Sequence, residues 1–374
     1  MQSTASHTLS RTECQALKGL AILSIVLHNM CHWTPLARGT NEFFFSPQAA
    51  INLRYYLQHL DWNFFIVLGS FFGQFGVQIF LFLSAYGLVL KYEQGSGVGT
   101  GRWEFISEHY LKLWRLMIIG LVAALTLGYF FQARCMIVAE HWPPMLLMIG
   151  NVLPKPDYRI FPGPYWFLGV MVEVYVIYRL CLMVKPTSAP WKRWAGPVAF
   201  CLATWIPQLL VDLSGSDGVI TYLRYNFLIA GVPFSAGLLT ARYVRMPSLS
   251  PWLWAVLTVA CAAAFVTMQF CYGLWLWSSL FFVLAAVCLV RACGLRIMRP
   301  MVWVGTISSA AFIVHPIVRI FADNWMRGNH ITDPVALHLM LLAYLAATLL
   351  VAVGYNRLIA HLPSPKRVTT YKQA

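Results

Sequence analysis

An all-α integral membrane protein, with about ten transmembrane helices and both termini cytoplasmic, is the fold class the sequence predicts. Three observations carry that reading. Hydrophobic residues make up 59% of the 374 and charged residues only 11%, where soluble domains carry roughly a quarter; the mean hydropathy is +0.65. Apolar runs of about 20 residues recur along the chain, the length a helix needs to cross a hydrocarbon core. Inside a bilayer only helices or a closed barrel satisfy the backbone, and barrel strands would be about 10 residues long with alternating polarity. Finally, nineteen of the 27 basic residues fall on one set of alternate connections together with the two ends. The positive-inside rule places that side in the cytoplasm.

The elements follow in order. The first span, 13–33, has a membrane-length apolar run and no small-residue cleavage site, so a removable signal peptide is not expected. A short apolar piece at 63–72 reads as interfacial or re-entrant, and 74–92 is the second span. Span 111–131 opens on Lys112 and Arg115. A second short piece at 144–152 again reads as interfacial or re-entrant. Spans 164–184, 194–213, 222–241, 251–271 and 274–292 follow. The ninth, 302–322, contains His315 and Pro316, where the missing proline N–H interrupts the helical ladder. The last, 335–360, leads into a short tail at 362–374. No long polar block interrupts the series, so a single membrane domain over 1–374 is expected.

The net charge of +14 belongs to topology and contact with anionic lipid, and not to nucleic-acid binding. The nine cysteines include no CxxC pair, so neither a zinc site nor a disulfide framework is indicated. Polar groups inside spans are costly unless paired or facing a cavity, so they are the place to look for function. His28 and His32, four apart, differ by 40° on a helical wheel and share a face. Lys18 stands about 15 Å below His28, at ~1.5 Å per residue; it could also snorkel to the cytoplasm. Glu173 is the one carboxylate well inside a span, and His315 lies at roughly the depth of His28. Ser84 and Ser308 are either cavity residues or helix–helix glue. Lys112 and Arg115 form a basic edge suited to an anion, although orientation alone would also place them there.

Four segments carry a resemblance. "LKGLAILSIVLH" (17–28), "FGVQIFLFLSAYGL" (75–88), "GPYWFLGVMVEVYVIY" (163–178) and "VGTISSAAFIVHP" (304–316) resemble, in family order, four motifs of the membrane-bound acyltransferase-3 family. Members of that family acylate cell-surface glycans and related acceptors. Some positions depart from its pattern. Nine residues separate Lys18 from His28 where the family has ten, so Asn29 takes the usual spacing. Gln78 stands for an acid, Ala85 for a glycine, and Glu173 falls two positions late relative to Trp166. No SGNH-type domain is appended in this reading.

The resemblance implies an acyl-CoA-dependent O-acyltransferase of a bacterial inner membrane, with acetyl-CoA as the expected donor and no permanently bound cofactor or metal. A saccharide or glycolipid would be the acceptor. Lys18, Lys112 and Arg115 would hold the CoA phosphates. His28 would be the general base, since imidazole titrates near neutrality. His32 would assist or replace it, and Glu173 would orient or charge-balance it. Asn29, Ser84, Trp166, Ser308 and His315 would line the substrate cavity. Acceptor specificity would reside in outer loops at 34–73 and 134–163. The competing class is a secondary transporter, in which His28, Glu173 and His315 form a proton or substrate site; no internal repeat supports it. A structural subunit of an envelope polymer system is a third possibility.

Overall fold

The computed structural model describes residues 8–34, 43, 45–130, 142–185, 187–213 and 217–363. The expected tail, apart from its first two residues, and the loop stretches 35–42, 44 and 134–141 lie outside the described residues. Those residues form helices and no strand. The α-helices in chain order are α1 (Arg11–Cys31), α2 (Pro47–Gln58), α3 (Phe64–Phe72), α4 (Gly76–Tyr92), α5 (Arg102–Phe130), α6 (Trp142–Leu146), α7 (Pro156–Arg159) and α8 (Trp166–Ile177). After these come α9 (Lys192–Leu213), α10 (Asp217–Arg224), α11 (Gly231–Tyr243) and α12 (Pro251–Met268). The chain ends with α13 (Tyr272–Ile297), α14 (Arg299–Thr306), α15 (Ser308–Gly328) and α16 (Pro334–His361).

Among the described residues, eight helical stretches are long and apolar enough to cross a bilayer, and the bent pair α14–α15 makes a ninth. Three expectations change. The 63–72 piece is not a separate interfacial segment: α3 runs through a 3₁₀ turn at Gly73–Phe75 into α4, giving one crossing path from Phe64 to Tyr92. The 222–241 span is reduced to the short apolar stretch Phe227–Tyr243, which at ~1.5 Å per residue falls short of a core of about 30 Å. The sharp bend of the ninth span, 77°, falls between α14 and α15 at Ile307 and not at Pro316.

The first helix occupies the centre. Its start is secured by a capping box in which Ser10 accepts from the Glu13 N–H and Glu13 accepts from the Ser10 N–H. From there α1 touches α3, α4, α13, α14, α15 and α16. Glycines allow two of these approaches. A Cβ on Gly305 would collide with the Gln15 carbonyl of α1, and one on Gly73 would come within 2.7 Å of the His28 Cβ. On the outside, α12 buries little more than Trp254 and Phe265, a face suited to lipid.

Side chains donate to main-chain carbonyls at and beside the helix prolines. Ser235 donates to the Pro197 carbonyl at 2.9 Å. Around Pro316, Tyr165 donates to the Ile313 carbonyl at 3.1 Å and Tyr344 to that of His315 at 3.3 Å. A closed polar cluster ties α4 to α11: Arg242 reaches the Glu93 carboxylate at 2.6 and 3.0 Å, and the Tyr178 hydroxyl donates to it at 3.1 Å. Arg242 also donates to the carbonyls of Leu182 and Arg193, at 2.8 and 2.7 Å.

Candidate active site

Near the C-terminal end of α1 the His28 ring is buried, with Nδ1 2.6 Å from the carbonyl oxygen of Ser70. A carbonyl can only accept, so Nδ1 carries the proton, and in neutral imidazole Nε2 is then the basic nitrogen. The geometry has a local cause. Ser70 lies in the last turn of α3, where the ladder tightens toward the 3₁₀ turn, and Gly73 lets that turn seat against His28. His32, one turn later, places its ring 5.4 Å from that of His28, as residues four apart on a helix must.

These side chains line a cavity of about 230 Å³ between α1, the start of α4, the turn leading into α8, and α15. Asn29, Trp33, Gln74, Trp166 and Arg319 share its wall, with Phe43, Tyr225, Phe167 and Phe312. Aromatic order is dense: Phe43 stacks on Tyr225 at 3.8 Å, and Trp166 meets both edge-on. Arg319 sits 4.8 Å above the Trp33 ring and donates weakly to the Asn29 side-chain oxygen at 3.4 Å.

A second cavity, of about 130 Å³, lies farther along the same helices. Phe80 and Ser84 of α4, Leu113 and Leu116 of α5, Met171 and Tyr175 of α8, and Ser308 and Ser309 of α15 line it. Ser84 is ten residues beyond Gln74, about 15 Å along the helix at ~1.5 Å per residue. Phe167 and Phe312, with ring centroids 5.5 Å apart, border both cavities and form the wall between them.

A family model described as an acyltransferase domain matches residues 13–357, nearly the whole chain. The chain belongs to the acyltransferase-3 family. It is accordingly a membrane-embedded acyltransferase with an all-helical, multi-pass fold. Neither the curated proteins nor the solved structures contain a match.

In this acyltransferase-3 chain the four resembling segments converge, but they do not all reach one cavity. His28, Asn29, His32 and Trp166 line the first, and Ser84 and Ser308 the second. Glu173 lines neither. Its carboxylate accepts from the Asn151 side chain and, at 2.8 Å, from the Phe227 N–H at the start of a 3₁₀ turn; no hydrogen bond joins it to His28. His315 is fully buried behind the wall, with Nδ1 3.2 Å from the Ala311 carbonyl and its ring against Phe312.

The basic candidates also divide. Lys112 pairs with Glu108 at 2.5 Å, and Arg115 donates to the Ile359 and Leu362 carbonyls at the end of α16. Both are engaged by the protein itself. Lys18, partly buried near the start of α1, enters none of the ion pairs among the described residues. Arg319, Gln74 and Tyr225 are cavity residues that sequence reasoning misses. Arg319 does carry a signal, a charge one turn beyond His315 inside the 302–322 span.

Proposed function

We propose that this acyltransferase moves an acetyl or other short acyl group from cytoplasmic acyl-CoA to a hydroxyl of a cell-surface saccharide or glycolipid. The observation that carries the reading is the pair of adjoining cavities, one polar and histidine-lined, the other apolar, divided by Phe167 and Phe312. The apolar cavity lies toward the ends of α4 and α5 that hold Lys91, Lys112 and Arg115. With the termini in the cytoplasm, that is the donor's side, and the site lies in a bacterial inner membrane.

In this reading the thin pantetheine arm enters along the apolar cavity and brings its thioester to the phenylalanine wall. The acceptor occupies the cavity of His28. Its hydroxyl oxygen attacks the thioester carbonyl carbon as the hydroxyl proton passes to His28 Nε2. The carbon–sulfur bond then breaks, and the departing thiolate takes that proton, leaving an O-acyl ester and free CoA. Ser70 fixes the imidazole tautomer throughout, the orienting role that a third group plays for a base. Lys18 serves the nucleotide end of the donor, and Lys112 joins it on exchanging Glu108 for a phosphate.

Purified protein supplied with acetyl-CoA should release CoA thiol only when a hydroxylated saccharide acceptor is present, and mass spectrometry should find that acceptor 42 Da heavier (about the mass of an added acetyl group). Transport of a labelled saccharide into liposomes without thiol release would instead establish the transporter reading.

A further inference from the structure

Among the described residues, the lining of the cavity beside His28 holds basic and neutral groups only. Arg319, His28 and His32 line it, and no carboxylate among the described residues does. Arg319 comes from α15, deep in a membrane-embedded bundle. Its direct contacts are neutral, the Trp33 ring at 4.8 Å and the Asn29 oxygen at 3.4 Å, and the one carboxylate that acts on it, Asp323 a turn further along α15, is bonded to Arg327 at 2.9 Å. A buried charge is costly unless an opposite charge answers it, and elsewhere this chain does answer one, with Glu93 against Arg242 at 2.6 Å. A guanidinium left facing a cavity, with its flat fork of donors, is shaped for a carboxylate or phosphate brought in by a ligand.

Gln74 adds an independent observation. Its Nε2 donates to the Phe71 carbonyl at 3.0 Å, which identifies the other amide atom as oxygen. That oxygen is buried and has no hydrogen-bond partner among the described residues. It is an unanswered acceptor on a residue that borders this cavity and a neighbouring one beside Gln78 and Arg224, so a small side-chain rotation would present it to a donor here. The aromatic surface of Tyr225 and Trp166 supplies faces suited to a sugar ring.

We propose that the acceptor is an acidic saccharide, whose anionic group pairs with Arg319 while a ring hydroxyl donates to Gln74 and another is presented to His28. The proposal rests on the acyl-transfer reading for the meaning of His28, but the anion site is testable without any acyl donor. The anion is a sugar carboxylate or the phosphate of a phosphate-linked sugar, and the two chemistries are separated by the probe.

Binding to the purified full-length protein, without acyl-CoA, is measured by tryptophan fluorescence. The probes are a disaccharide ending in glucuronic acid, its neutral counterpart ending in glucose, and glucose 1-phosphate. The wild type should bind one of the anionic probes about tenfold or more tightly than the neutral disaccharide, the scale of one charge-assisted contact. Arg319→Gln should erase that preference, and Arg319→Lys should restore part of it. Preference for glucuronate assigns a uronate acceptor, and preference for glucose 1-phosphate a phosphate-linked one. Equal binding of all three probes by the wild type, or an undiminished preference in a correctly inserted Arg319→Gln protein, would overturn the proposal. Failure of acetyl-CoA turnover with every acceptor would instead count against the acyl-transfer reading and leave the binding result standing.

Discussion

Two buried arginines show how the same group serves opposite ends. Arg242 is closed in: two bonds to Glu93, the Leu182 and Arg193 carbonyls, and Tyr178 completing the carboxylate's shell. Arg319 has one long contact to Asn29, an aromatic face, a cavity, and at a distance the Asp323 carboxylate, which Arg327 already holds. A charge satisfied on every side holds helices together and has nothing left to offer a substrate. A charge satisfied on one side keeps its capacity for binding. The difference teaches that in a membrane protein the count of partners, more than burial itself, separates structural from functional ionisable groups.

The largest effect should come from breaking the closed cluster. Arg242→Met leaves the buried Glu93 carboxylate without a cation, with only the Tyr178 hydroxyl and the Val184 N–H donating to it, and should cost about 3–5 kcal/mol of stability. A thermal-unfolding series in detergent reads this, and the added change Glu93→Gln should recover part of the loss. A single mutant within about 1 kcal/mol of wild type would remove the contrast with Arg319.

At the open site the loss should fall on chemistry. His28→Ala should lower turnover by about 10²-fold, near 2.7 kcal/mol of transition-state stabilisation, in protein that inserts normally. Should His28→Ala turn over normally while His32→Ala is dead, the base is His32 and reaction occurs one turn closer to the helix end.

Glu173 tests the comparison from the other side. Because Asn151 and the Phe227 N–H occupy its oxygens, Glu173→Gln should cost about 1–3 kcal/mol of stability and leave kcat/KM of the folded enzyme within about twofold. A turnover loss resembling that of His28→Ala would return Glu173 to the catalytic machinery. The smallest effect is expected at Lys18, where Lys18→Met should raise the acyl-CoA KM a few fold, as an interaction of about 1 kcal/mol does. An unchanged donor KM would leave the nucleotide end to other residues.

How much of this was legible before the structure depends on the range of the interactions. Apolar length marks spans such as 13–33 and 335–360, because crossing a bilayer is a local property of a segment. The shared face of His28 and His32 is local too, set by helical pitch. The joining of α3 to α4 is not, since glycine at 73 reads as a break until the helix it packs against is known. Pro316 signals a kink, yet the 77° bend falls at Ile307, where Gly305 packs on the Gln15 backbone and tertiary contact decides the turn. The first cavity is the extreme case. Its wall joins residues from 25 to 319, and no period or spacing in one sequence connects them. Glu173 illustrates the converse: a lone carboxylate in a span stands out in the sequence, and only the structure reveals the amide groups that occupy it.

The wall of Phe167 and Phe312 has a consequence for the membrane itself. A continuous file of polar groups from one face of a bilayer to the other would conduct protons and small ions, discharging the gradient that energises the cell. Here the histidine-lined cavity and the apolar cavity stop on opposite sides of two aromatic rings. In the proposed reaction, donor and acceptor would then meet across this wall without a pore opening. Liposomes holding the Phe167→Ala, Phe312→Ala double variant should lose an imposed pH difference faster than those holding the wild type. Equal decay would mean that the seal lies elsewhere.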